Sequence, residues 1–224
     1  MSMKKLLLIF LALLILLVAF LCFNSRNLDE DIEKLDLDKV NNLMIVAHPD
    51  DELLWGGAHL IRDNYLVVCI TCGTSFTRDN EIQSVLKETD DELLKLGYPD
   101  KVFGERSDWK NDKEKISEDL KKIINLKGWN LIVTHNAEGE YGHIQHIMTH
   151  EIIENAYNEL GLNTDLYFFG KYYSKKKMES LLELPESIPE KELNKKKELI
   201  EIYKSQSFIK TTFDHMFEYE DWTK

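Results

Sequence analysis

Residues 43–52 read LMIVAHPDDE, and this stretch decides the fold. Five apolar residues, Leu43 to Ala47, are bounded by polar ones, the pattern of a short buried strand. The acids that follow suit the start of a helix, where negative charge complements the helix dipole. A helix is therefore expected from Asp51 to Arg62. Working outward, the same alternation recurs. Strands are expected over residues 66–71, 102–103, 131–134 and 166–169, and helices over 80–96, 114–124, 143–160 and 191–205. In the helix over 80–96, Ile82, Val85, Leu86, Thr89, Leu93 and Leu96 share a face, with Gly97 as C-cap and Pro99 beyond it. Strands alternating with helices predict an α/β fold with a mostly parallel sheet covered on both faces.

In open α/β sheets, ligands collect at the carboxyl ends of the strands. Two such ends here are densely polar. One is His48-Pro-Asp-Asp-Glu52. The other is Thr134-His-Asn136, leading through Gly139-Glu-Tyr-Gly142 to His143-Ile-Gln-His146. Catalytic zinc sites use three protein ligands, often His and carboxylate, plus water. One His and one Asp from the first loop with one His from the second complete such a set. Adjacent acids also make sense chemically, since one can bind metal while the other takes a proton from water. Each piece alone has a plainer reading. An H-x-x-H on a helix is more often a surface or core feature, and an acidic pair can merely serve the dipole. His150 lies one turn beyond His146, so spacing leaves open which of His143, His146 and His150 bind metal.

The segment AHPDDELLWGG (47–57) paired with GEYGHIQH (139–146) resembles the LmbE/PIG-L family of zinc-dependent de-N-acetylases. The likeness spans roughly residues 41–170, with both motifs in the family's order. It implies a Rossmann-like three-layer αβα fold. It also implies zinc ligands at His48, Asp51 and His146, a general base at Asp50, and a protonated His143 that steadies the tetrahedral intermediate and helps protonate the leaving amine. Many members carry an Asp where this chain has Gln145, which puts fine tuning in doubt more than the reaction. Arg78 resembles a basic family position near the pocket. Asp108, followed by Trp109, is a second candidate substrate contact, for sugar hydroxyls. Glu52 suits either support of a metal ligand or a helix N-terminal charge, and His59 and His215 read as structural. The implied activity is removal of acetyl from an N-acetylglucosamine-type sugar. Its form is left open between lipid-linked, as in GlcNAc-phosphatidylinositol, and soluble or polymer-linked.

Residues 6–23 are an unbroken apolar run of 18, preceded by Lys4 and Lys5. That length suits a short transmembrane helix better than a signal-peptide core. The reading is a single-pass anchor at residues 1–27, an acidic linker at 28–40 and the catalytic domain at 41–224. The flanking charges favour a cytoplasmic N-terminus and a translocated catalytic domain. A net charge of −12 and a pI near 5.1 argue against nucleic acid as a partner, which needs clustered Lys and Arg. Cys69 and Cys72 form C-x-x-C within a β-branched run and read as a buried strand rather than a redox motif. A nucleophile-based hydrolase would need a G-x-S-x-G elbow, and a nucleotide-binding Rossmann domain a Gly-rich first loop; neither occurs. The remaining alternative, a non-catalytic sugar- or metal-binding module on a membrane tether, predicts loss of a ligand or of the base. Yet His48, Asp50, Asp51, His143 and His146 are all present.

Overall fold

The computed structural model describes Lys5, Phe10 and residues 26–224. The chain forms two compact units, Met1–Glu33 and Lys34–Lys224. In the first, α1 (Leu28–Ile32) is capped by Asn27, whose side chain accepts from the Asp29 N–H. The apolar run over 6–23, read above as a membrane anchor, lies outside the described residues. Among the described residues no helix is long and apolar enough to cross a membrane.

The second unit runs β1 (Asn42–Val46), α2 (Asp51–Arg62), β2 (Tyr65–Cys69), α3 (Phe76–Thr89), β3 (Glu92–Lys95), β4 (Lys101–Val102), β5 (Glu105–Arg106), α4 (Lys113–Ile124), β6 (Leu131–Thr134), α5 (Gly139–Gly142), α6 (Ile144–Leu160), β7 (Asp165–Phe168), α7 (Lys175–Met178), α8 (Glu190–Ile200) and α9 (Ile209–Thr212). Five strands form one sheet in the order β3-β2-β1-β6-β7, every pairing parallel. Every residue of β1 and β2 is buried, as expected where helices cover both faces of a parallel sheet. Helix α2 packs on α8, and α4 on α6. The strand order reverses direction between β1 and β6, so the crevice for a ligand falls at the carboxyl ends of these two strands. They are the two strands that carry the polar loops.

The helix expected over 80–96 is instead α3 followed by β3. Asp90 takes the left-handed conformation (φ 67°, ψ 33°) and ends the helix. Leu93 and Leu94 then pair with Val67 and Val68. The apolar spacing of a helix continues by coincidence into the strand, so periodicity could not show the break. Gly97 is accordingly not a helix cap; its N–H bonds to Cys72 O at 2.7 Å. The strand expected at 102–103 is half of an antiparallel two-stranded hairpin, Lys101–Val102 with Glu105–Arg106, turning through Phe103 and Gly104, both at positive φ. This matches the turn geometry that a two-residue hairpin loop favours. Cys69 ends β2, Cys72 lies beyond it, and both are free and buried.

Candidate active site

The first loop leaves β1 and turns sharply at Asp50, whose φ of 112° is unusual for a residue with a side chain. Two groups hold it there. The fully buried Glu52 accepts the Asp50 N–H at 2.9 Å and pairs with the Tyr203 hydroxyl. Arg78, in the first turn of α3, donates to Pro49 O at 3.0 Å and lies 4.0 Å from Asp50 Oδ2 and 3.6 Å from Asp100 Oδ2. Glu52 thus shapes the loop backbone rather than supporting a metal ligand. Burial raises its carboxyl to about 8.

The turn brings three predicted ligands together. His48 Nδ1 lies 3.2 Å from Asp51 Oδ2 and 3.2 Å from His146 Nε2, and His146 Nε2 lies 3.3 Å from Asp51 Oδ2. Donors placed tetrahedrally at the ~2.0–2.1 Å of zinc–nitrogen bonds are about 3.3 Å apart, so the triangle has the dimensions of one face of such a shell. All three residues are buried. Burial opposes charge on both partners, yet His146 and His135 hold Asp51 well below the usual carboxylate range, while Asp51 and Glu140 push His146 up to about 10. The cluster attracts positive charge to its centre, and a divalent cation fits both its spacing and its chemistry.

Two further imidazoles lie within reach. His135 belongs with Asp51 and His146 in one possible donor group, and His143 with His48 and His146 in another. Both nitrogens of His135 are engaged, however. Nε2 accepts the Ala47 N–H at 3.0 Å, and Nδ1 meets Glu140 Oε2 at 3.0 Å. It braces the site and offers no lone pair. His143 caps α6, with Nδ1 accepting the Gln145 N–H at 3.3 Å, so a neutral ring carries its proton on Nε2. Burial, then the neighbouring His146 and His48, lower its pKa to about 2. The neutral ring offers Nε2–H as a donor, where the family resemblance implies a protonated imidazole.

Asp50 is buried beside this cluster. Burial, with the adjacent Asp51 carboxylate, raises it to about 7. The structure separates the remaining candidates. Arg78 turns its guanidinium onto the loop. Asp108 is half-exposed and pairs with Lys110 at 2.6 Å, and Trp109 is buried with its Nε1 donating to Pro99 O. His150 Nδ1 meets His135 O at 3.1 Å, and His150 lines a neighbouring cavity of about 450 Å³ with Asn136, Glu154 and Phe168. His59 stacks on Trp222 with ring centroids 3.6 Å apart, a structural contact. Glu140 and Gln145 touch the triangle from outside; the sequence marks Gln145 as a departure from the family's Asp, and Glu140 only by its place inside GEYGHIQH.

A parallel α/β sheet whose switch point gathers buried His and Asp side chains that could hold a metal ion defines the class of this fold and site. Within it, the chain belongs to the PIG-L family, GlcNAc-PI de-N-acetylase, whose model matches residues 43–157. A curated relative, an uncharacterized protein of Acanthamoeba polyphaga mimivirus, is 31% identical over 125 residues, which is 48% of this chain. The chain spans about half of that relative's length, 54%. Among solved structures, an antimicrobial-reagent pseudoaglycone deacetylase aligns with a TM-score of 0.59 at 20% identity, covering 78% of this chain and 85% of that one. A deacetylase of the teicoplanin biosynthesis pathway gives 0.57 at 20% identity, covering 75% and 86%. A 4-carboxy-2-hydroxymuconate hydratase from Pseudomonas putida gives 0.50 at 14%, covering 81% and 83%. At these identities the likeness establishes the fold.

Proposed function

We propose that the protein is a zinc-dependent N-deacetylase that hydrolyses the acetamide of an N-acetylglucosamine-type sugar. The observation that carries this reading is the triangle of His48 Nδ1, Asp51 Oδ2 and His146 Nε2, with a second buried carboxylate beside it. The fold alone is neutral, since a hydratase shares it; family membership and the donor set favour amide hydrolysis.

His48, Asp51 and His146 would hold the ion. When bound, zinc supplies a Lewis acid that lowers the pKa of water toward ~7 and polarises a carbonyl. Asp50, buried beside the triangle, takes the proton of the attacking water as the general base. His143 offers its Nε2–H to the oxygen on which charge develops, a contribution that can be worth about 3 kcal/mol per donor. The proton held by Asp50 then passes to the departing amine, so water and amide become acetate and amine. Arg78 keeps Pro49 and Asp50 in place for this transfer rather than contacting sugar.

A lipid-linked sugar such as GlcNAc-phosphatidylinositol is the finer reading. It is supported by the family's description and by the apolar run over residues 6–23, which we read as a single-pass membrane anchor. The test is full-length protein with zinc, assayed for free amine from GlcNAc-phosphatidylinositol, simple N-acetyl sugars and sugar polymers. We expect chelation to abolish release and zinc to restore it. Activity without stoichiometric metal would refute the zinc reading. Stoichiometric zinc with no amine release from any N-acetyl sugar would refute the deacetylase reading. Full-length protein should stay with membranes after a carbonate wash, and recovery of the intact chain in the wash would remove the anchor.

A further inference from the structure

The two imidazoles of the triangle face its centre through different nitrogens, His48 through Nδ1 and His146 through Nε2. Each has its far nitrogen bound to a buried side chain. His48 Nε2 lies 2.7 Å from Gln145 Oε1. The orientation of that amide is settled by its other end, where Nε2 donates to Pro99 O at 3.3 Å and Asp100 O at 3.1 Å. Gln145 therefore presents an acceptor, and His48 must carry a proton on Nε2. His146 Nδ1 lies 2.5 Å from Glu140 Oε2. Glu140 Oε1 accepts the Asn136 N–H, and its Oε2 faces both His135 Nδ1 and His146 Nδ1, so it too is an acceptor.

Glu140 is itself held on every side. Its Oε1 accepts the Asn136 N–H at 3.1 Å, and its own N–H donates to Asn136 Oδ1 at 3.1 Å. Its backbone sits at φ 56°, ψ −56°. Gly139 makes this turn possible. A Cβ there would come within 2.9 Å of Ile147 Cγ1 and 3.3 Å of His146 Cβ. The GEYG segment thus exists to bring one carboxylate against the back of His146.

We infer that Glu140 and Gln145 are positioning residues that set the tautomers of His146 and His48, so that an Nε2 and an Nδ1 lone pair meet Asp51 Oδ2 at one point. Such outer partners fix ring orientation, and losing one typically weakens metal binding by ~10–100-fold. Gln145 does this for His48 without adding another negative charge to a site that already holds Asp50, Asp51, Asp100 and Glu140. The inference rests on the metal reading above.

The experiment measures zinc affinity by chelator competition, together with the histidine ring ¹⁵N spectrum of the zinc-loaded full chain. The wild-type spectrum should show one ring bound to zinc through Nδ1 and another through Nε2. Gln145→Leu and Glu140→Leu should each weaken zinc by ~10–100-fold. Gln145→Glu and Glu140→Gln, which keep an acceptor, should recover most of it. Leucine variants that bind zinc like wild type would overturn the inference. So would acceptor-keeping variants as weak as the leucine ones, or two rings both bound through Nε2. If the leucine variants do not fold, the wild-type spectrum and the conservative pair still decide. A wild-type chain that binds no zinc would instead overturn the metal reading, and this inference with it.

Discussion

The second unit contains one buried polar cluster whose side chains converge on a single point and another whose contacts close on themselves. At the His48–Asp51–His146 cluster, Asp51 Oδ2 is approached by His48 Nδ1 at 3.2 Å, His146 Nε2 at 3.3 Å and His135 Nε2 at 3.5 Å. Three ring nitrogens converge on one oxygen. At the other cluster, the side chains of Lys196 and Glu220 are fully buried and their contacts close on themselves. Lys196 Nζ bonds Glu220 Oε1 at 2.7 Å and Leu54 O at 2.9 Å, and both Glu220 oxygens accept the Ala58 N–H, at 2.8 and 3.1 Å. This pair sits where α2 departs from helical geometry at Gly56 (φ −142°). Leu54 O and Ala58 N–H, partners in a regular helix, are served by the ion pair. Gly57 leaves room for it, since a Cβ there would meet Lys196 Cδ at 3.0 Å. A buried charge is tolerated when it is paired and fully bonded. The Lys196–Glu220 cluster meets that rule within the protein. The first meets it only with a cation or added protons. Convergence of lone pairs, rather than burial or charge, separates a site from a brace.

The sharpest break of the comparison is at Asp51. Asp51→Ala should empty the site, with both metal content and activity falling to background while the melting temperature of the metal-free protein changes little. Asp50→Asn should keep near-normal metal and lower kcat by ~10²–10⁴-fold, with KM changed less, because the proton moves only in the transition state. Metal loss in Asp50→Asn with retention in Asp51→Ala would exchange the two roles.

At the brace, the expected currency is stability. Glu220→Ala strands a buried ammonium and should cost ~3–5 kcal/mol in urea unfolding. The double variant Lys196→Met with Glu220→Gln keeps an acceptor for Ala58 N–H and removes the stranded charge, so it should cost clearly less. Equal losses for both would mean that the pair is not the source of the stability. Zinc affinity should be nearly unchanged in whichever of these variants stays folded.

The smallest effect is expected at Asp91, a buried acid that belongs to neither cluster. Its oxygens accept from Tyr65 N–H at 2.7 Å and Thr89 Oγ1 at 2.5 Å, and burial raises its pKa from 3.8 to about 7. The folded state then binds a proton more tightly than the unfolded state between these values. Stability contributed below pH ~4 is lost as pH climbs through 7. Asp91→Asn should flatten that slope by at most ~3 kcal/mol, read from urea midpoints at pH 4.5 and 7.5. An unchanged slope would mean that Asp91 titrates near its ordinary value.

By itself the sequence determined the α/β architecture and named the His and Asp side chains that the fold brings together at the switch point. Apolar runs at β1 and β6, each followed at once by His and Asp or Asn, are local features, and a parallel sheet places such loops at one edge. Helix α2 and strand β6 were legible to the residue. Where the chain changes state without changing its apolar spacing, as from α3 to β3, the sequence misled, because only Asp90's left-handed turn and pairing with β2 mark the boundary. The tertiary structure alone decided what each imidazole touches. His135, His143, His146 and His150 are the same residue type, close in the chain. Their roles follow from what each far nitrogen touches: Ala47 and Glu140 for His135, Gln145 N–H for His143, Glu140 for His146 and His135 O for His150. A hydrogen bond from a distant segment selects which nitrogen keeps its lone pair, and no local pattern of residues encodes that choice.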